Sequence, residues 1–299
     1  MSDLKIGFVG LGDQGGPMAV AIAQGGFELH VWARRPQSLE AMGDAPCTLH
    51  GSLQSLAETV TVLCLCLRDD QDIWDLLQQQ ALARALRSGS ILVNHGTGDP
   101  GENARIGTFL QDLSITYLDA PISGGRPGAV ARTLTTMVGG EATAAERCLP
   151  VFESFSRKVA LMGPVGSGQL AKLLNNALTM TNLKNAVDVF ALARDLGMDI
   201  QQFYDVINVS SGASTVLQFI GNQETLNQSS LETARHLQVL MLKDIKHFAD
   251  AIRDRGLDPA ELERRGIGGA KGLAELTVLI EGPTDASASP NRADTERPL

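Results

Sequence analysis

One arrangement near the start of the chain restricts its fold more than any other. An apolar run from Leu4 to Val9 leads directly into Gly10-Leu11-Gly12-Asp13-Gln14-Gly15, and a helical pattern from Pro17 to Gln24 follows before Gly25-Gly26. Strand, G-x-G-x-x-G and helix in that order form the fingerprint of a dinucleotide-binding βαβ unit. Gly10 permits the tight turn, Gly12 lets a pyrophosphate approach the backbone, and Gly15 lets the helix pack closely on the strand. The helix start then presents free N–H groups to phosphate. Leu11, Asp13 and Gln14 join the three glycines as expected cofactor contacts.

The second strand, Glu28 to Ala33, ends where such a unit reads the adenosine ribose. A site that prefers NAD carries Asp or Glu there, but this chain has Ala33-Arg34-Arg35-Pro36. No carboxylate repels a 2′-phosphate, and two guanidinium groups are available to pair with one. The expectation is NADP, with NAD possible. Strand and helix patterns then alternate: strands at Thr61–Leu67, Ile91–Asn94, Ile115–Leu118, Leu134–Val138 and Val159–Met162, and helices at Asp72–Leu86, Glu102–Leu113 and Ala142–Phe155. This is the order of an α/β, doubly wound, largely parallel sheet, whose ligands sit outside the carboxyl ends of the strands. Leu67-Arg68 and Asn94-His95-Gly96-Thr97 follow central strands and are expected beside the cofactor. His95 reads either as an acid or base or as a hydrogen-bonding wall residue. Ser123-Gly124-Gly125 offers a hydroxyl and adjacent N–H groups that can hold a carboxylate.

From Gly163 the pattern changes to long helices. In GPVGSGQLAKLLNNAL, residues Gly163 to Leu178, a helix brings Lys172, Asn175, Asn176 and Thr179 onto one face and Leu170, Leu173, Leu174, Ala177 and Leu178 onto the other. A buried, unpaired polar group costs about 1–3 kcal/mol, so the stripe needs a partner, and a substrate is the expected one. The first helix is expected from Gly168 to Leu196 with Gly197 as its C′ residue. Further helices are expected at Ile200–Val209, Ser214–Asn222, Leu237–Arg255, Pro259–Arg265 and Ala270–Ile280. The domain division follows: a nucleotide-binding domain over 1–162, an all-helical substrate and dimerisation domain over 163–281 joined by the long helix, and a disordered polar tail over 282–299.

With 299 residues and a net charge of −9, the chain fits about two domains and carries no general basic field for nucleic acid or anionic lipid. It has no stretch of the roughly 20 apolar residues that cross a bilayer and enters a strand at once without a signal-peptide pattern, so a cytoplasmic location is expected. Cys47, Cys64, Cys66 and Cys148 read as packed hydrophobes, and no metal site is expected.

GLGDQGGPM at 10–18, DAPISGG at 119–125, GSGQLAKLLNN at 166–176 and LKD at 242–244 together resemble the β-hydroxyacid dehydrogenase family, the relatives of 3-hydroxyisobutyrate dehydrogenase. The resemblance implies a Rossmann domain followed by a helical domain. It also implies NAD(P)-dependent oxidation of a 3-hydroxy acid, or reduction of the corresponding aldehyde acid, and a homodimer or homotetramer. By position, Lys172 resembles the catalytic lysine, Ser123, Gly124 and Gly125 the turn that binds the substrate carboxylate, and Asn176 a substrate-orienting amide. Lys243, with Asp244 beside it, resembles a lysine that reaches toward the cofactor. The chain departs from the family at Gln14, usually Met; at Asn94-His95-Gly96-Thr97, usually an acid-x-Ser-Thr run; near His236, where an aromatic is expected; and at Arg126, which reads either as a second anion contact or as a solvated loop arginine. Related imine reductases typically lack the lysine, so Lys172 favours carbonyl chemistry. A non-catalytic NADP-binding protein is the alternative from outside the enzymes.

Overall fold

The computed structural model describes residues 4–79, 81–221 and 230–281. The expected tail over 282–299, Asn222 and the side chain of His236 lie outside the described residues. Among the described residues, one compact unit comprises the chain up to Leu178 together with Met241–Gly266, and a second comprises Thr179–Leu240 with the segment from Ile267 on.

In the first unit the chain runs β1 (Lys5–Val9), α1 (Gly15–Gln24), β2 (Glu28–Trp32), β3 (Thr48–Leu49), α2 (Leu53–Thr59) and β4 (Val62–Leu65). It continues through α3 (Asp70–Trp74), α4 (Leu82–Ala85), β5 (Ile91–Asn94), α5 (Pro100–Gln111), β6 (Thr116–Asp119), β7 (Ile122–Ser123) and α6 (Gly125–Val130). Then come β8 (Leu134–Gly139), α7 (Ala142–Glu153) and β9 (Ser156–Gly163). The sheet order is β3-β2-β1-β4-β5-β6-β8-β7, with β9 also paired to β8; the β6–β8 and β7–β8 pairings are antiparallel and the others parallel. β4 and the stretches Ile6–Val9 of β1 and Ile91–Val93 of β5 carry no polar side chain, because helices cover both faces. Phe8, Cys64 and Val93 pack on one side with Phe152 and Phe155, while Val9, Leu63, Leu65 and Leu92 pack on the other with Leu56, Ile106 and Leu110. Since β1 is flanked by β2 and β4, the chain reverses winding there, and the loops after β1 and β4 open into one crevice.

The helix expected at Asp72–Leu86 is interrupted. It starts at Asp70, capped by the Asp69 carboxylate, passes through a π-helical turn at Asp75–Gln79, and resumes at Leu82 after Ala81 adopts φ 56°. The short elements β3, α2, β7 and α6 have too few residues to show a period and were not anticipated.

Helix α8 spans Ser167–Asp195. It ends as expected, Gly197 adopting φ 77° while the Gly197 and Met198 N–H groups donate to Arg194 O and Ala193 O. Among the described residues, α9 (Ile200–Asn208), α10 (Thr215–Gly221) and α11 (Ser230–Arg253) follow. The two helices expected at 259–265 and 270–280 are one, α12 (Ala260–Glu281). The glycines between them do not break it. In the second unit a Cβ on Gly269 would lie 2.0 Å from Met180 O, so glycine there serves close helix contact. No helix among the described residues is long and apolar enough to cross a membrane.

Candidate active site

The fingerprint loop has the expected geometry. Gly10 adopts φ +96°, and a Cβ on Gly15 would lie 1.9 Å from Gly10 O, so α1 can approach the strand only through glycine. A Cβ on Gly12 would meet no atom within 4 Å. The backbone of Gly12 therefore faces open space, as a loop that receives a phosphate requires. The first residue of α1 follows Gln14, whose side chain does not cap the helix, and the Gly16 N–H donates to Gly12 O at 3.0 Å. Gly12→Ala is expected to leave the melting temperature unchanged and to weaken coenzyme binding by roughly five- to hundredfold, the effect of about 1–3 kcal/mol of overpacking against the ligand; a fluorescence titration with NADPH checks it.

A cavity of about 340 Å³ continues from this loop, lined by Gly10, Leu11, Gly12, Arg34, Arg35 and Leu67 among others. Arg34 and Arg35 are exposed at its edge, immediately after β2. Asp72 and Asp75 also line it, but Asp72 is already paired with Arg68, whose Nε lies 3.2 Å from its carboxylate. The residues present thus fit a dinucleotide.

On α8, Lys172 is half-buried. Burial pulls its ammonium down to about 8, and the Asp244 carboxylate opposes that shift. Asp244 comes from α11; burial raises its carboxyl, while Lys243, Lys172, the Asn176 hydrogen bond and His247 hold it down. Asn176 Nδ2 donates to Asp244 Oδ2 at 2.8 Å, and the other carboxylate oxygen is 3.7 Å from Lys243 Nζ. Asn175 Nδ2 donates to Asn176 Oδ1 at 3.1 Å and reaches Ser123 Oγ at 3.5 Å. Lys172, Asn176, Ser123 and Asp244 are therefore brought together, and Asn175, read from the sequence only as part of the stripe, links them. On the expected apolar face, Leu173 and Ala177 are buried, but Leu174 and Leu178 remain 46% and 61% exposed.

Lys243 Nζ donates to Arg68 O at 2.7 Å and Thr97 O at 3.0 Å, joining the two loops that follow β4 and β5. His95 corrects its expected place beside the cofactor. It is buried, its Nδ1 hydrogen-bonds Ala120 O at 2.9 Å, and its ring packs against Phe8, Phe152 and Phe155. Burial lowers its pKa to about 4, so it is a neutral core residue. Arg126 is exposed and donates from Nη1 to Asp13 O at 3.2 Å, tying the start of α6 to the fingerprint loop.

Two residues that position the site escaped the sequence. Asp119, at the end of β6, accepts from the N–H groups of Gly166 and Gln169, each at 2.7 Å, so a carboxylate holds the start of α8. Gln169 is fully buried one turn before Lys172. Both lie inside the short motifs already noted, but their partners are distant in sequence.

A family model described as the NAD binding domain of 6-phosphogluconate dehydrogenase matches residues 5–163, and one described as NAD-binding of NADP-dependent 3-hydroxyisobutyrate dehydrogenase matches residues 166–262. The chain is 29% identical over 246 residues to an NAD-dependent L-serine dehydrogenase of Pseudomonas aeruginosa, covering 81% of this chain and 83% of the relative. It is 28% identical over 221 residues to the 2-hydroxy-3-oxopropionate reductase of Escherichia coli, covering 74% and 75%. The solved structure of a Mycobacterium tuberculosis 3-hydroxyisobutyrate dehydrogenase with L-serine has the same fold, with a TM-score of 0.76 at 24% identity over 93% of this chain and 98% of that one.

Proposed function

Because the chain belongs to the NAD(P)-dependent hydroxyacid dehydrogenases related to 3-hydroxyisobutyrate dehydrogenase, we propose that it interconverts a short 3-hydroxy acid and its aldehyde acid, prefers NADP, and uses Lys172 as general acid and base. The observation that carries this reading is the constellation around Lys172: a lysine pulled to about 8 by burial, beside a carboxylate that is itself held by Asn176. A general base works best with a pKa near the operating pH, and an unperturbed lysine does not meet that condition.

The dinucleotide supplies the hydride acceptor in one direction and the donor in the other. Lys172 as neutral amine accepts the substrate hydroxyl proton during oxidation, and as ammonium returns it during reduction. Asn176 orients the substrate oxygen, while Ser123, Gly124 and Gly125 hold the carboxylate. A panel of 3-hydroxy acids and short aldehyde acids, with L-serine among them, assayed with NADP(H) and NAD(H), tests the reading; no turnover with any of them would discard it.

The preference for NADP rests on Arg34 and Arg35 at the cavity edge. A hydrogen bond to a charged group contributes about 1.5–3 kcal/mol. Replacing both arginines with alanine is therefore expected to lower kcat/KM for NADP by roughly ten- to hundredfold and to change that for NAD by less than about threefold. Equal losses with both coenzymes would remove the arginines from this role.

A further inference from the structure

The geometry points to Gln169 as a positioning residue that locks the loop after β5 to the helix carrying Lys172. Its side-chain amide meets that loop on both sides: Oε1 accepts from Gly98 N–H at 3.0 Å, and Nε2 donates to Gly96 O at 2.8 Å. Nε2 also lies 3.5 Å from Asn103 Oδ1, and the Gln169 backbone N–H donates to Asp119 Oδ2 at 2.7 Å. The residue between the two glycines is Thr97, whose carbonyl accepts from Lys243 Nζ at 3.0 Å. One amide thus holds the loop to α8 three residues before Lys172, and one ammonium holds it to α11. The loop lies at the carboxyl end of a central strand, where a parallel sheet meets its ligand. Whatever that loop touches is held in register with the lysine.

The chemistry of this clamp is specific. A buried side chain that must accept one hydrogen bond and donate another to the same loop can be a carboxamide or a neutral carboxylic acid, whereas an ionised carboxylate only accepts. Loss of the clamp lets the loop and the helix move apart, and a displacement of about 1 Å from the reacting geometry costs on the order of a hundredfold in rate. Binding of the hydroxy acid, held by Ser123 and its glycines, changes little.

Three measurements test the proposal; the kinetic ones rest on the hydroxyacid reading above, and the third does not. Gln169→Leu is expected to lower kcat at least about tenfold with the KM of the hydroxy acid nearly unchanged, and to raise the deuterium isotope effect on kcat with substrate labelled at the carbinol carbon. Gln169→Glu keeps the volume and carries the test should the leucine variant not fold. Its kcat relative to wild type is expected to be low at pH 8 and to recover as pH falls toward 5, because the protonated acid regains the donor to Gly96 O. A residue that only fills space gives a ratio independent of pH. Hydrogen exchange in the protein without coenzyme or substrate is expected to speed up over residues 96–98 in both variants. Unchanged exchange there overturns the clamp even if no hydroxy acid is turned over. Faster exchange with wild-type kcat and a flat pH ratio overturns the positioning role.

Discussion

Lys172→Ala is expected to reduce kcat by about 10²- to 10⁴-fold, the range that proton transfer by a positioned side chain contributes, while coenzyme affinity stays close to wild type. The separation of the two effects follows from location. Lys172 lies on α8 beside Asp244 and Asn176, whereas the fingerprint loop and the Arg34-Arg35 edge are built from the ends of β1 and β2. The pH profile gives a sharper version. With the ammonium pulled to about 8, oxidation needs the neutral amine, so its rate rises with pH through about 8 and levels off above. Reduction needs the ammonium, so its rate falls through the same range. The alanine variant loses this limb in both directions. Asp244→Asn removes the charge that supports the ammonium, so the limb moves to lower pH. Near-wild-type turnover of Lys172→Ala, or a limb that survives in it, would assign proton transfer to another group.

What the sequence revealed and what it hid divide along sequence distance and side-chain direction. Gly10, Gly12 and Gly15 act within six residues of one another, and the Lys172–Asn176 stripe lies within a turn or so of helix, so local spacing shows both. The turn at Ser123 shows in its residue types and its place after a strand, whereas the Lys243-Asp244 pair shows only through family resemblance. Partners far along the chain were not visible: Gly98 and Gln169 are 71 residues apart and Asp119 and Gly166 are 47 apart. Neither pairing has a signature until the sheet is assembled. His95 follows a strand whose alternation is concealed because both faces are buried, so nothing local shows that its ring turns into the Phe8, Phe152 and Phe155 cluster. Gly268 and Gly269 of α12 look like a helix break for a similar reason, since the close contact they permit is visible only with α8 beside them.

Asp119→Ala is expected to be the most destabilising single change at the site, by about 2–5 kcal/mol. The carboxylate accepts from Gly166 and Gln169 at 2.7 Å, and from Gly168 as well, so its removal leaves several buried N–H donors unpaired at the start of α8. Negative charge at that end also complements the helix dipole. The opposing effect is the cost of burying a carboxylate, which disappears with the side chain and sets the lower end of the range. That cost is expressed in the pKa: burial raises Asp119 to about 6 and the N–H groups hold it down. A group whose folded-state pKa exceeds its unfolded value contributes stability that is fully present below the unfolded value and is lost as pH rises through the folded one. The difference in stability between wild type and Asp119→Ala should therefore be largest near pH 4, shrink as pH rises through 6, and be constant above. Taking the difference cancels the opposite trend from His95, which is held near 4 in the folded protein and becomes destabilising as acid protonates the unfolded chain. Denaturant titrations of the two proteins between pH 4 and 8 measure it directly. A difference that grows with pH would mean that the ionised carboxylate is favoured over the acid at the start of α8, and that the N–H groups outweigh its burial.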